Sequence, residues 1–258
     1  MIGVYDSGLG GLTVLSHLRR RFPRADVLYF GDTEHLPYGT RSPELICRYA
    51  DRAIRFFASE GVSALLVACG TVSTVALGAD RPDPGFPLIG VAEPAVAALA
   101  SLKKTRIAVL ATPATVATGA YERMLASAIP DAEVLQIACP LFVALVENGV
   151  TDPHDPALHM LVARFLAPCF SFHPNAILLG CTHFPVLGQV IGQLFPSALL
   201  IDCGKAAIDA LPPGCDAGGS GKTRYCVSDS PERFREAARH LSAISDDSAI
   251  EIVKTDRY

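Results

Sequence analysis

The sequence has no excess of basic residues. Its 258 residues carry 22 Lys and Arg against 26 Asp and Glu, for a formal net charge of −4. That balance lacks the basic footprint of nucleic-acid binding, so no nucleic-acid partner is expected. No apolar run reaches the roughly 18 residues that cross a bilayer, and no membrane association is expected. The stretch Met1-Ile2-Gly3-Val4-Tyr5-Asp6 has no basic leader and enters a strand-like run at once. That argues against a signal peptide and makes the cytoplasm the expected location. Paired cysteines are missing too. The eight cysteines, at 47, 69, 139, 169, 181, 203, 215 and 226, never stand as C-x-x-C, which argues against a zinc ribbon and a thioredoxin-like redox motif. In a reducing compartment they stay free thiols, and a free thiol is most often a small buried core residue.

What the sequence does have is alternation. Short aliphatic runs at 2–5, 27–30, 64–68, 88–91, 107–110, 133–137, 176–179 and 199–201 are bounded by Gly, Pro or Asp, as buried parallel strands should be. Segments 45–58, 116–128 and 158–170 repeat apolar residues at helical spacing. The first follows Ser42-Pro43-Glu44, a helix start by composition. Strands alternating with helices predict an α/β fold with mainly parallel sheets. The Pro- and Gly-rich stretch 212–221 reads as a connector. A strand at 224–227 and a helix at 231–241 then form a tail that returns to the first unit.

A weak internal repeat organises the chain further. Leu65-Leu66-Val67-Ala68-Cys69-Gly70-Thr71 is similar to Ile177-Leu178-Leu179-Gly180-Cys181-Thr182-His183. Each is an aliphatic strand ending in Cys, and the two lie nearly half the chain apart. Ligands of open α/β sheets bind at carboxyl ends of strands, so two facing units would put both thiols in one cleft. A thiol at a helix N-terminus is expected to have a lowered pKa. One such thiol fits covalent catalysis. Two matched thiols fit inversion of a stereocentre, with a base on one face of the carbon and an acid on the other. His183, two residues beyond Cys181, is placed to tune it or to shuttle protons. Asp6, at the end of the first strand, is placed to assist Cys69 or to contact a substrate ammonium. The bland alternatives are a structural histidine at 183 and a helix-capping aspartate at 6.

At these residues the sequence resembles the glutamate racemases of the aspartate/glutamate racemase superfamily. The likeness is carried by Gly3-Val4-Tyr5-Asp6-Ser7-Gly8-Leu9-Gly10-Gly11-Leu12-Thr13, by Gly31-Asp32-Thr33 with Pro37-Tyr38-Gly39, by Cys69-Gly70-Thr71, and by Leu179-Gly180-Cys181-Thr182-His183-Phe184-Pro185. Glu93-Pro94, Pro140 with Glu147-Asn148-Gly149, and Ile201-Asp202 extend it over essentially the whole chain. The resemblance implies two pseudosymmetric three-layer α/β domains with the active site in the cleft between them. The expected division is 1–96 with 209–258 against 97–208. It implies Cys69 acting on the D-enantiomer and Cys181 on the L-enantiomer, with Asp6 and His183 assisting and Glu147 behind them. Asp6, Ser7, Pro37, Tyr38, Gly39, Gly70, Thr71, Thr182 and His183 would bind substrate. Neither pyridoxal phosphate nor a metal is implied. The implied product is D-glutamate for peptidoglycan, and a homodimer is one assembly the resemblance allows.

One position departs from the family. Cys-Asn-Thr is usual where this chain has Cys69-Gly70-Thr71. A lost carboxamide hydrogen bond typically costs about 0.5–1.5 kcal/mol, so Gly70→Asn is expected to be tolerated and to lower KM for glutamate. Rival readings fare worse. Gly8-Leu9-Gly10-Gly11-Leu12-Thr13 lacks the third glycine of a dinucleotide fingerprint, and Gly221-Lys222-Thr223 lacks the first glycine of a P-loop. Zinc on Cys69, Cys181 and His183 has no supporting ligand spacing. Nearer alternatives are relatives acting on aspartate, hydantoins or maleate, or a weakened racemase retained as a binding protein.

Overall fold

The computed structural model describes residues 1–77, 83–214, 219–241 and 249–258. Among the described residues, ten strands form two parallel sheets. The first contains β1 (Ile2–Asp6), β2 (Val27–Gly31), β3 (Ala64–Val67), β4 (Leu88–Gly90), β9 (Thr223–Val227) and β10 (Ile250–Ile252). Their order is β10-β9-β2-β1-β3-β4. The second contains β5 (Arg106–Ala111), β6 (Glu133–Ala138), β7 (Ala176–Leu179) and β8 (Leu199–Asp202), ordered β6-β5-β7-β8. Every pairing is parallel.

The two sheets repeat one design. β1 lies between β2 and β3, and β5 lies between β6 and β7. Ile2 pairs with Ala64 in one sheet as Ile107 pairs with Ala176 in the other. The repeated segments therefore form β3 and β7, equivalent strands, and Cys69 and Cys181 follow them directly. The tail returns as expected, since β9 pairs with β2.

The alternation of each strand sends side chains into different cores. Ile2 and Val4 of β1, Leu66 of β3, Ile107 and Val109 of β5, and Ala176 and Leu178 of β7 share a central cluster. Tyr5, Leu65 and Val67 face outward into a second cluster. Ala108, Leu110, Ile177 and Leu179 face into a third. Both faces of both sheets are thus buried, as parallel strands require.

Helices fill the three layers. They are α1 (Gly11–Arg21), α2 (Pro43–Ser59), α3 (Gly70–Val75), α4 (Ala92–Ser101), α5 (Pro113–Ala117), α6 (Ala120–Ala128), α7 (Phe142–Glu147), α8 (Pro156–Phe165), α9 (Ala167–Phe172), α10 (Gly188–Leu194), α11 (Cys203–Asp209) and α12 (Pro231–His240). α1, α4, α6 and α11 supply the central layer, with α4 packed on α11 and α6, and α11 on α1. Polar ties also cross between the halves. Thr13 Oγ1 donates to the Thr182 carbonyl at 2.8 Å. His17 pairs with Asp202 at 2.7 Å, and Asp202 also caps α11 by accepting from Gly204 and Lys205 N–H.

Two readings of the sequence need correction, and one strand was not read at all. The helix expected over 116–128 is two helices, because Gly119 takes a left-handed φ of 61° between α5 and α6. The helix expected over 158–170 breaks at Leu166. There Pro168 has no N–H for the carbonyl four residues earlier. β10 had no signal, being three residues long with Glu251 at its centre, where it pairs with Arg224 of β9. The connector expected over 212–221 falls partly outside the described residues, and Cys215 lies outside them.

The central cluster carries both halves, so truncating it is expected to be costly. Leu178→Ala, at a fully buried position, should lose about 2–5 kcal/mol in urea denaturation. Met160→Ala, at a position 72% exposed, should stay within about 0.5 kcal/mol of the parent. Equal losses in the two variants would refute the assignment of the core.

Candidate active site

The carboxyl ends of the two sheets face each other, and the residues after the strands line one cavity of about 100 Å³. This is room for several waters or one small molecule. From the first half come Asp6 and Ser7 after β1, Pro37, Tyr38 and Gly39 on a loop, and Cys69, Gly70 and Thr71 after β3. From the second half come Thr112 and Pro113 after β5, Cys139, Pro140 and Val143, and Cys181, Thr182 and His183 after β7. Every substrate-contacting residue expected from the sequence therefore borders the same space. Glu147 stands behind it, with Oε1 3.0 Å from His183 Nε2.

The two thiols have different neighbours. On one side, Ser7 Oγ lies 3.3 Å from Cys69 Sγ, and the Asp6 carboxylate is close enough to repel a negative sulfur. Burial pushes the Cys69 thiol up to about 12, with the Asp6 charge adding to the effect. The lowered pKa expected from the helix terminus is not found here. α3 has six residues, and its dipole does not outweigh burial and the neighbouring carboxylate. On the other side, Cys181 Sγ lies 3.7 Å from His183 Nδ1. Burial disfavours the His183 imidazolium, but hydrogen bonds and charges from Cys181 and Glu147 outweigh it and hold its pKa near 10. His183 thus keeps its proton at neutral pH, between a sulfur and a carboxylate. This contact is made across a turn closed by Phe184 N–H donating to Cys181 C=O at 3.0 Å, not along an extended strand.

Asp6 lines the cavity at the end of β1. It is 1% exposed and accepts from Gly8 N–H at 2.7 Å, so it does organise the first loop. Burial raises its pKa to about 6, against the lowering effects of His183 and of the Gly8 and Gly11 N–H groups. It is an ionisable group poised just below neutrality inside the cavity.

The loop at 37–39 is held by a buried polar hub. Tyr38 OH donates to Asp32 and lies 3.0 Å from Tyr5 OH. Ser228 Oγ donates to the same Asp32 at 2.6 Å. The tail that returns to the first sheet therefore helps to fix the cavity wall.

Sequence reasoning missed a hydroxyl cluster. Thr112 Oγ1 lies 3.0 Å from Thr71 Oγ1 and donates to Thr115 Oγ1 at 3.1 Å. Thr112 also caps α5. A signal was available, because Thr112-Pro113 directly after a strand is a helix start in the position that Ser7 occupies after β1. Among the described residues, no three His, Cys, Asp or Glu side chains are grouped so that they could hold a metal ion. Nor is any described helix long and apolar enough to cross a membrane.

Comparison with known proteins places this arrangement. The signature of the Asp/Glu/Hydantoin racemase family matches residues 13–211. The glutamate racemase of Gloeobacter violaceus is 40% identical over 243 residues, covering 92% of this chain and 91% of its own. The crystal structure of glutamate racemase from Francisella tularensis in complex with D-glutamate superposes with a TM-score of 0.86. It is 30% identical and covers 100% of this chain and 98% of its own. The Thermus thermophilus glutamate racemase in complex with beta-chloro-D-alanine gives a TM-score of 0.84 at 36% identity, with the same coverages. The chain belongs to the Asp/Glu/Hydantoin racemase family, a family of isomerases.

The position of Asp6 has a consequence for stability. A carboxyl whose folded pKa, about 6, exceeds its ordinary value of 3.8 binds its proton more tightly when folded. Its contribution is complete below pH 3.8 and is lost as pH rises through about 6. Asp6→Asn, which never ionises, should therefore gain stability relative to the parent as pH rises from 4 to 7. The gain should be on the order of 1–3 kcal/mol. Urea denaturation at pH 4, 5.5 and 7 reads this directly, and a pH-independent difference would refute it.

Proposed function

We propose that this protein is a glutamate racemase that interconverts L- and D-glutamate by proton transfer at the α carbon, with Cys69 and Cys181 as the two bases. The observation that carries the reading is the pair of thiols on equivalent strand ends of opposed sheets, bordering one cavity. The relatives named above, which carry that activity in their names, support glutamate as the substrate.

The charge pattern favours a direction for the first proton transfer. Cys69 is held as a thiol and His183 as an imidazolium. Cys181, paired with that imidazolium, takes the role of base toward the L-enantiomer, and Cys69 delivers its proton to the opposite face. For the D-enantiomer the roles exchange, and Asp6 is the carboxylate whose charge acts on Cys69. Ser7, Thr71, Thr182 and the backbone N–H groups at the strand ends suit the substrate carboxylates. Tyr38 and Gly39 close the cavity over them.

The catalyst uses neither pyridoxal phosphate nor a metal in this reading, works in the cytoplasm, and supplies D-glutamate for peptidoglycan. Residues 1–96 with 209–258 form one lobe and 97–208 the other. The membership of β9 and β10 in the first sheet supports that division, although its cuts fall within α4 and α11.

The test is circular dichroism of purified protein with L-glutamate in EDTA, with L-aspartate in parallel. Decay of the L-glutamate signal to the racemic value is expected. Decay with aspartate alone would move the assignment to a sister racemase. Cys69→Ser and Cys181→Ser should each abolish racemisation and keep the parental far-ultraviolet spectrum. Full activity in either would refute the two-base mechanism.

A further inference from the structure

Gly70 stands where the family usually carries Asn, and the structure supplies a reason other than a missing amide. A Cβ built on Gly70 would lie 2.2 Å from the carbonyl oxygen of Gly180 and 3.7 Å from Cys181 Cα. Those atoms are backbone of the opposite half, in the turn that carries Cys181. Gly70 is not among the glycines with positive φ, so its conformation alone admits any residue. What excludes a side chain is the space. Gly10 repeats the relation nearby, where a Cβ would meet His183 Nδ1 and Thr182 Oγ1 at 2.5 Å each. Its φ of −59° is likewise ordinary. Two side-chain-free positions of the first half thus bear directly on the catalytic turn of the second.

We propose that Gly70 is a positioning residue that sets the separation of the two thiols, by letting the Gly180 carbonyl rest against its Cα. The proposal rests on the racemase reading for its kinetic consequence only. A backbone oxygen cannot swing aside as a side-chain tip can, so any Cβ at 70 drives the Cys181 turn away by about 1 Å, the distance that restores ordinary contact. Misplacement of that size at a reacting centre costs up to about a hundredfold in rate. This geometry runs against the expectation that Gly70→Asn is tolerated. An Asn brings the same Cβ as an Ala and displaces the turn before its carboxamide reaches any substrate.

The test compares the parent with Gly70→Ala, Gly70→Asn and the control Gly188→Ala, where a Cβ meets nothing within 4 Å. Two readouts are taken: kcat and KM in both directions, and amide hydrogen exchange of the peptide covering 180–184. Both Gly70 variants should fold cooperatively and lose about ten- to a hundredfold in kcat in each direction. KM should move far less, and exchange at 180–184 should be faster. Gly188→Ala should match the parent. Parental kcat in either Gly70 variant, or a lower KM with unchanged kcat in Gly70→Asn, would overturn the proposal. So would a loss of kcat with parental exchange, which would mean that the residue acts on substrate directly. An unfolded Gly70→Ala chain would overturn it too, because the strain is assigned to a local displacement of the Cys181 turn. If the parent racemises neither glutamate nor aspartate, the racemase reading fails and the exchange data alone decide whether Gly70 spaces the halves.

Discussion

The opposition of two sheet ends across one buried layer is the constraint on which everything else depends. The central cluster takes side chains from β1, β3, β5 and β7 together, so neither sheet can move far without opening core. Hydrophobic burial of that layer fixes where the carboxyl ends of β3 and β7 point. The polar ties add register at lower energy, Thr13 to the Thr182 carbonyl and His17 to Asp202. A cavity between such ends is walled largely by buried side chains. The resulting low dielectric is what allows one carboxylate or one imidazolium to dominate its neighbours.

Symmetry of the scaffold does not extend to the chemistry. The hydroxyl after β1 is Ser7 and it meets a thiol, whereas the hydroxyl after β5 is Thr112 and it meets other threonines. Asp6 sits beside Cys69, where its charge disfavours the thiolate. Cys181 has a proton-bearing histidine backed by Glu147. Equivalent strand ends therefore carry thiols with unequal neighbours, Ser7 and Asp6 beside Cys69 and His183 backed by Glu147 beside Cys181.

The strands were legible because burial on both faces makes them short continuous aliphatic runs. All eight first read as strands fall within one residue or so of their observed limits. β10 was not legible, since a three-residue edge strand with a central glutamate has no such run. The broken helices that follow β5 and β6 were read as continuous because periodicity survives an interruption of one or two residues. Gly119 and Pro168 carried the information, and only their backbone chemistry reveals it. Among site residues, those in strand-end motifs were legible, whereas Cys139 and Val143 were not. Their part in the cavity depends on tertiary packing that leaves no local pattern.

Gly70 shows why a motif departure can be misread from sequence. Read along the chain, a glycine in place of a larger polar residue is an absence, and the natural inference is a lost hydrogen bond. Across the fold the same glycine is an occupied position, filled by the Gly180 carbonyl of the other half. The two descriptions differ in sign for the same substitution, because the first counts a group that would be added and the second counts the backbone that it would displace. Backbone is the less compliant of the two. The approach of the halves, set by the central layer, therefore decides what residue 70 can be.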